Sequence, residues 1–270
     1  MAKIFRKFRV RFLNEKKIRN YFLYAIGEIV LVVLGILIAV AINNWNIQNN
    51  NRNQEINILN QLLIEYDENL KEIDGKIAMR NLIIQSVEKL IYYADNKIND
   101  NMLDSISFHL NRTKFDPTFD PSNGVTNEIL SSGKLYILEN KNLKSQLTSW
   151  SGVVAELSEQ EQLTAKIVYE KYIPYLTENF DVRSTMNQQI DKQMINFFTT
   201  GKTRTLNVPR KIDKQVLVDI LSDSAIQNYM ILIGRMHQSG NMQSIDTRKR
   251  ILEIQDNINS EIKMHTIQKK

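Results

Sequence analysis

The longest apolar run of the chain extends from Tyr21 to Ile42 and contains a single charge, Glu28. At a rise of about 1.5 Å per residue, the run forms a helix of roughly 33 Å, which matches a hydrocarbon core of about 30 Å. A basic start followed by an apolar stretch also describes a signal peptide. This run is too long for that, however, and no small-x-small cleavage site leads into Asn43. We therefore expect an uncleaved transmembrane helix over 21–42.

After an Asn-rich joint over 43–55, apolar residues recur three and four positions apart, which predicts a long helix. Its seam consists of Leu59, Leu63, Tyr66, Leu70, Ile73, Ile77, Ile84 and Val87, flanked by Ile56 and Ile91. Arg80 occupies the one interrupted position. Such a seam requires a partner, which is either another part of this chain or the same helix in a second copy.

Two further long helices are predicted by the same spacing. One extends from Asn140 to Tyr172, with Glu161 and Thr164 in core positions, and Pro174 is expected to break or kink it. The other runs from Ala225 to about Met264 and is interrupted by Ser239-Gly240. Because no convincing set of strands appears, we expect an all-α fold in which one transmembrane helix is followed by a bundle of long helices over 56–270.

Between these helices lies the tandem sequence FDPTFDPSNG, Phe115 to Gly124. Proline disfavours helix at the residue before it, so each Asp-Pro pair indicates a turn, and we expect an ordered loop. Further along, Ser131-Ser132-Gly133 is typical of a helix end with Gly133 in the left-handed conformation.

The distribution of charge favours one orientation in a membrane. Eight of the 35 basic residues lie in the first twenty positions beside one of the 30 acids, which leaves 27 basic and 29 acidic residues elsewhere. The pI near 9.2 therefore reflects this block, which is read as a basic cytoplasmic amphipathic segment over 1–20, and gives no reason to expect a nucleic-acid partner. By the positive-inside rule, the N-terminus is expected inside and the 56–270 domain outside, in the periplasm or the extracellular space.

Within the apolar run, Glu28, Gly35 and Ala39 lie seven and four positions apart and so share one face of a helix. Small residues on one face allow two helices to approach closely in lipid, and a carboxyl group within the bilayer favours a partner. We expect self-association or another membrane protein as the partner. Glu28 is interpreted as a hydrogen-bonding group between copies, with a proton or ion path as the alternative.

Catalytic chemistry is not indicated by the sequence. The three histidines stand without zinc-ligand spacing, and there is no cysteine to supply a thiol or a disulfide. Thr200-Gly201-Lys202-Thr203 resembles the end of a phosphate loop, but the position of its first glycine is occupied by Asn196. We therefore expect no enzyme activity, no cofactor and no metal.

Two sequence blocks carry a family resemblance. YAIGEIVLVVLGILIAVAINNWN, preceded by KIFRKFR, resembles an uncharacterised family of bacterial single-pass membrane proteins with a YAIGE…GILIA…INNWN signature. The segment LSSGKLYILENKNLKSQL is similar to a later part of the same family. The resemblance implies an anchored helical domain and supplies neither an activity nor a catalytic residue. We expect the chain in the bacterial inner membrane.

These patterns lead to two hypotheses of function. The first is a membrane-anchored, non-enzymatic interaction or scaffold protein of the bacterial cell envelope. The alternative is a ligand-sensing bundle that signals laterally to a membrane partner, with a pocket near Trp150, Tyr169 and the FDP loop.

Overall fold

The computed structural model describes residues 16–185 and 212–268, and all regular structure in these two ranges is helical. The α-helices are α1 (Lys16–Ala94), α2 (Leu103–Arg112), α3 (Gly124–Ser131), α4 (Lys141–Ile167), α5 (Ile173–Asn179), α6 (Lys214–Ser222) and α7 (Ser224–Gln268). A π-helical turn, Val168–Tyr172, joins α4 to α5. The all-α expectation is confirmed for these residues. Most of the basic segment, 1–15, and the sequence at 200–203 lie outside them.

The chain divides into two compact units, Met1–Asn57 and Ile58–Lys270. In the first unit the described residues belong to α1, which is helical through the Asn-rich joint, and its large apolar side chains from Phe22 to Ile47 are exposed. From Ala25 onward, α1 contains a window of mean hydropathy 2.9 that is long and apolar enough to cross a membrane.

In the second unit the helices pack around two apolar clusters. Core A is formed by residues 59–73 of α1, 143–157 of α4 and 251–258 of α7, together with Phe119 from the loop. Core B is formed by residues 79–90 of α1, 217–221 of α6 and 226–233 of α7, with contributions from α2 and the π-helical turn. Three long helices thus pass from one core to the other.

The buried face of α1 differs slightly from the predicted seam. Leu59, Tyr66, Ile73 and Val87 are buried, whereas Leu63, Leu70, Ile77 and Ile84 are half-buried. The positions just before those four include buried Leu62, Asn69 and Ile83. The buried face is therefore turned by about one residue from the predicted seam, and it includes the polar residue Asn69.

Pro174 does not end the helix. It lies in the first turn of α5, directly after the π-helical turn. Proline lacks an N–H group and its ring clashes with the carbonyl group four residues earlier, so a wider turn at that place accommodates it without breaking the path of the chain.

Helix α7 also continues through Ser239-Gly240, so the interruption expected there is wrong. A bend of 72° separates α6 from α7, and Oδ1 of Asp223 caps α7 by accepting from the Ile226 N–H at 2.9 Å. Counted as one span, this bent pair is long and apolar enough to cross a membrane, but Ile226, Met230 and Ile233 are buried in core B, as is usual for a core helix.

Candidate functional site

A buried polar layer separates core A from core B in the second unit. Arg80 of α1 forms an ion pair with Glu161 of α4, and it donates to Oγ of Ser244 in α7 at 2.6 Å. Arg80 and Glu161 are 1% and 4% exposed. The layer consists of Arg80, Glu161, Thr164, His237, Asn241 and Ser244. The apolar seams of α1, α4 and α7 are thus interrupted at the same level.

The Arg80 side chain lies against α7 at Gly240. A Cβ atom at Gly240 would lie 3.5 Å from Nε of Arg80, in ordinary van der Waals contact. Next to this pair, Nδ2 of Asn241 donates to Oδ1 of Asn81 at 2.8 Å. Polar residues of α7 therefore pair with polar residues of α1 at this level.

One side of the layer is closed by the 115–123 loop, which is held through its backbone. Arg80 donates to the Pro117 carbonyl at 3.0 Å, and the Phe119 N–H donates to both carboxylate oxygens of Glu161 at 3.0 and 3.1 Å. The same ion pair that joins α1 to α4 therefore also binds the first half of the loop.

The second half of the loop is held by an acidic and amide-bearing face of α1. Asn69 binds Ser122 twice, donating to its carbonyl and accepting from its N–H, both at 2.8 Å. Glu72 accepts from the Asp120 N–H at 3.1 Å. Glu65 accepts from the backbone N–H of Val125 at 2.6 Å in the first turn of α3. Glu65, Asn69 and Glu72 thus all bind backbone groups of the loop or of the start of α3.

Aromatic side chains anchor the loop in core A. The indole N–H of Trp150 donates to Oδ1 of Asn123 at 2.7 Å, and its ring meets that of Tyr66 edge-on at 5.3 Å between centroids. Phe119 is 5% exposed, whereas Phe115 in the first FDP repeat is 36% exposed. The two repeats therefore have different environments, and only the second contributes to the core.

Burial shifts the titration of the acidic and imidazole groups in and around the layer. Burial raises the pKa of Glu161 to about 7 and that of Asp116 to about 6, even though Arg80 lowers both. Burial lowers the pKa of His237 to about 3, and the charge of Arg80 lowers it further. Within the described ranges, Oδ2 of Asp116 and Nε2 of His237 are buried without a hydrogen-bond partner.

The residues predicted for a pocket lie at opposite ends of the loop. Trp150 is buried against Asn123, while Tyr169 is 54% exposed and hydrogen-bonds the backbone at Asp116. Both contact the loop, and a ligand pocket there stays a prediction.

The residues predicted for association in the membrane, Glu28, Gly35 and Ala39, are all exposed on α1. Glu28 lies beside a shallow apolar groove that includes Ala25 and Val32, and no atom lies within 4 Å of a Cβ built on Gly35. This face is therefore open in a single chain.

One family model matches residues 28–229, and its description is a family of unknown function (DUF6090). The matched range includes Arg80, Asp116 and Glu161 and ends before His237. A search of curated proteins and a search of solved structures each found no match to the chain.

Proposed function

Because the chain belongs to that family, which brings no activity with it, we propose that the protein is a membrane-anchored, non-enzymatic interaction or scaffold protein of the bacterial cell envelope. The observation that carries the proposal is the contrast between the two units. In the first, large apolar side chains from Phe22 to Ile47 are exposed, whereas the long-helix seam of the second is buried within the same chain.

Exposed apolar side chains over such a length of helix require a covering, and a bilayer supplies one. In the proposed arrangement α1 anchors the chain as a single span, with the basic N-terminus in the cytoplasm and the helical unit outside. The positive-inside rule supports this orientation.

Self-association through the span is the interaction that we propose. Glu28, Gly35 and Ala39 form one exposed stripe on α1, and a carboxyl group in lipid is stabilised by a hydrogen-bonding partner. Since the seam of the second unit is already buried, this stripe offers a second copy both a polar group and a close approach of backbones.

The test is the molar mass of the full-length protein in detergent, measured by light scattering with the detergent mass subtracted. Gly35→Leu is expected to convert a defined oligomer into a monomer. Gly27→Leu is the matched control, because a Cβ on Gly27 also meets no atom within 4 Å but lies about 100° around the helix from Glu28. A monomeric wild type, or equal masses for all three proteins, would remove the stripe from the proposal.

A second candidate is a ligand-sensing bundle that signals laterally, and the polar layer favours it. Buried polar atoms without partners, such as those of Asp116 and His237, are typical of places where a structure binds something or moves. Its test is the fluorescence of Trp150 in a Trp45→Phe background during titration with small polar metabolites. A saturable change that Asn123→Ala abolishes would support sensing, whereas no response to any compound would count against it.

A further inference from the structure

The polar layer has a charge imbalance when all its acids are ionised. Among the described residues, Arg80 is the cation that interacts electrostatically with both Glu161 and Asp116. The other titratable groups facing this place are His237 from α7 and Tyr169 from the π-helical turn, both neutral near pH 7. Two carboxylates against one guanidinium leave an uncompensated negative charge in a buried site, and such a charge is strongly unfavourable.

The loop determines whether that charge is buried. Phe119 and Pro117 bind Glu161 and Arg80 through the backbone, and Asp116 belongs to the loop itself. When the loop lifts away, water reaches the carboxyl groups and both of them ionise freely. When the loop closes, one carboxyl group must take up a proton for the cluster to be neutral.

We propose that closing of the 115–123 loop over Arg80, Glu161 and Asp116 takes up a proton, so that acid favours the closed loop and higher pH releases it. The loop is then a pH-sensitive latch on the polar layer. This role is independent of association through the membrane span.

The sign follows from the titration of the groups involved. The pKa values of Glu161 and Asp116 are raised to about 7 and about 6 in the closed state, so the closed state holds protons that the open state releases. His237 acts in the opposite sense, because its lowered pKa makes the open state bind a proton below pH of about 6.5. Lys114, with a pKa lowered to about 8, stays mostly charged up to pH 7.5 in both states. On closing, the proton uptake by the two carboxyl groups therefore exceeds the proton release by the one imidazole.

The experiment is hydrogen exchange of the full-length protein in detergent, followed by mass spectrometry of peptides covering 115–122. Exchange rates are divided by the intrinsic rates at each pH, which gives the opening constant of the loop. In the wild type, the opening constant is expected to rise about tenfold from pH 5.5 to pH 7.5, since the closed loop holds on average about half a proton more than the open loop over this range, once the opposing imidazole is included.

Glu161→Gln keeps the shape and the acceptor for Phe119 but cannot take up a proton, so its opening constant is expected to change by less than about threefold over the same range. Glu72→Gln is the matched control, because Glu72 also accepts a loop N–H, that of Asp120, but does so at the surface. It should keep the wild-type pH dependence. A core B peptide from α6 reports global unfolding.

The proposal is overturned if the wild-type opening constant does not rise with pH, or if Glu161→Gln responds to pH as the wild type does. It is also overturned if the α6 peptide changes in parallel with the loop. In that case the proton is linked to unfolding of the whole bundle.

Discussion

Replacement of Arg80 by methionine tests how the polar layer is held together. Methionine has an unbranched apolar side chain that resembles the aliphatic part of arginine. It lacks the donors to Glu161, Ser244 and Pro117. Because the Arg80 and Glu161 side chains are only 2% and 5% exposed, the carboxylate left behind remains buried. Breaking a buried ion pair on one side costs about 3–5 kcal/mol, and we expect a loss of about 4 kcal/mol in the free energy of unfolding.

Adding Glu161→Leu to Arg80→Met should recover part of this loss. The double variant has no buried charge from the pair, but the Phe119 N–H and the Pro117 carbonyl have lost their partners, which costs about 1–3 kcal/mol. We therefore expect the double variant to be more stable than Arg80→Met alone by about 2 kcal/mol.

The assay is urea unfolding of the full-length protein in nonionic detergent at pH 8, followed by tryptophan fluorescence. The chain has two tryptophans, and Trp45→Phe leaves Trp150, which is buried in core A, as the reporter. Glu72→Leu in the Arg80→Met background is the control and should give no recovery. Additive losses from Arg80→Met and Glu161→Leu would refute the reasoning, because they would mean that the two charges do not compensate each other.

Two further predictions concern the loop and the turn after α3. Trp150→Phe should destabilise the bundle by about 1–3 kcal/mol in urea unfolding followed by circular dichroism, because it leaves Oδ1 of Asn123 without its donor while the ring contact with Tyr66 is kept. Tyr66→Phe is the comparison and should cost less, since the hydroxyl lies 3.4 Å from its Thr126 partner. Gly133→Ala should lower stability by about 1–2 kcal/mol in the same measurement, because Gly133 has a φ of +70°. Gly152→Ala, in the middle of α4, should instead leave stability unchanged or raise it, and equal effects of the two glycine substitutions would contradict the prediction.

The sequence predicted the helical class, the apolar stretch of α1 and the turn at Gly133, because these depend on local patterns. Apolar spacing determines a helix and its approximate buried face, and a glycine after two serines supplies the left-handed residue that ends a helix. The membrane itself and the direction of the chain across it remain expectations from charge.

The polar layer was not predicted, although each part of it left a trace. Arg80 interrupted the seam of α1, Glu161 weakened that of α4, and Ser239-Gly240 suggested a break in α7. Taken singly, each looks like a local irregularity. The three positions meet because α1, α4 and α7 are aligned along the bundle in a particular way. This alignment is a long-range property, and the residue spacing within one helix does not predict it.

The binding of the loop by Glu65, Asn69 and Glu72 could not be predicted for a similar reason. An acidic run on a helix is usually solvated, and only the position of the 115–123 loop makes these side chains acceptors for backbone N–H groups. Glu65 and Asn69 are buried and Glu72 is half-buried, whereas the predicted seam residues Leu63 and Leu70 are only half-buried.

The composition of core A has a consequence for synthesis of the protein. Its first wall is residues 59–73 of α1, and its last wall, residues 251–258 of α7, is made roughly 180 residues later. At about 5–20 residues per second, a ribosome needs roughly 10–35 s to pass from one to the other. During that time the apolar side of α1 has no permanent cover. The nascent chain therefore relies on α4 or on a chaperone until α7 is made, and truncation before residue 251 should harm the part of the bundle that was made first.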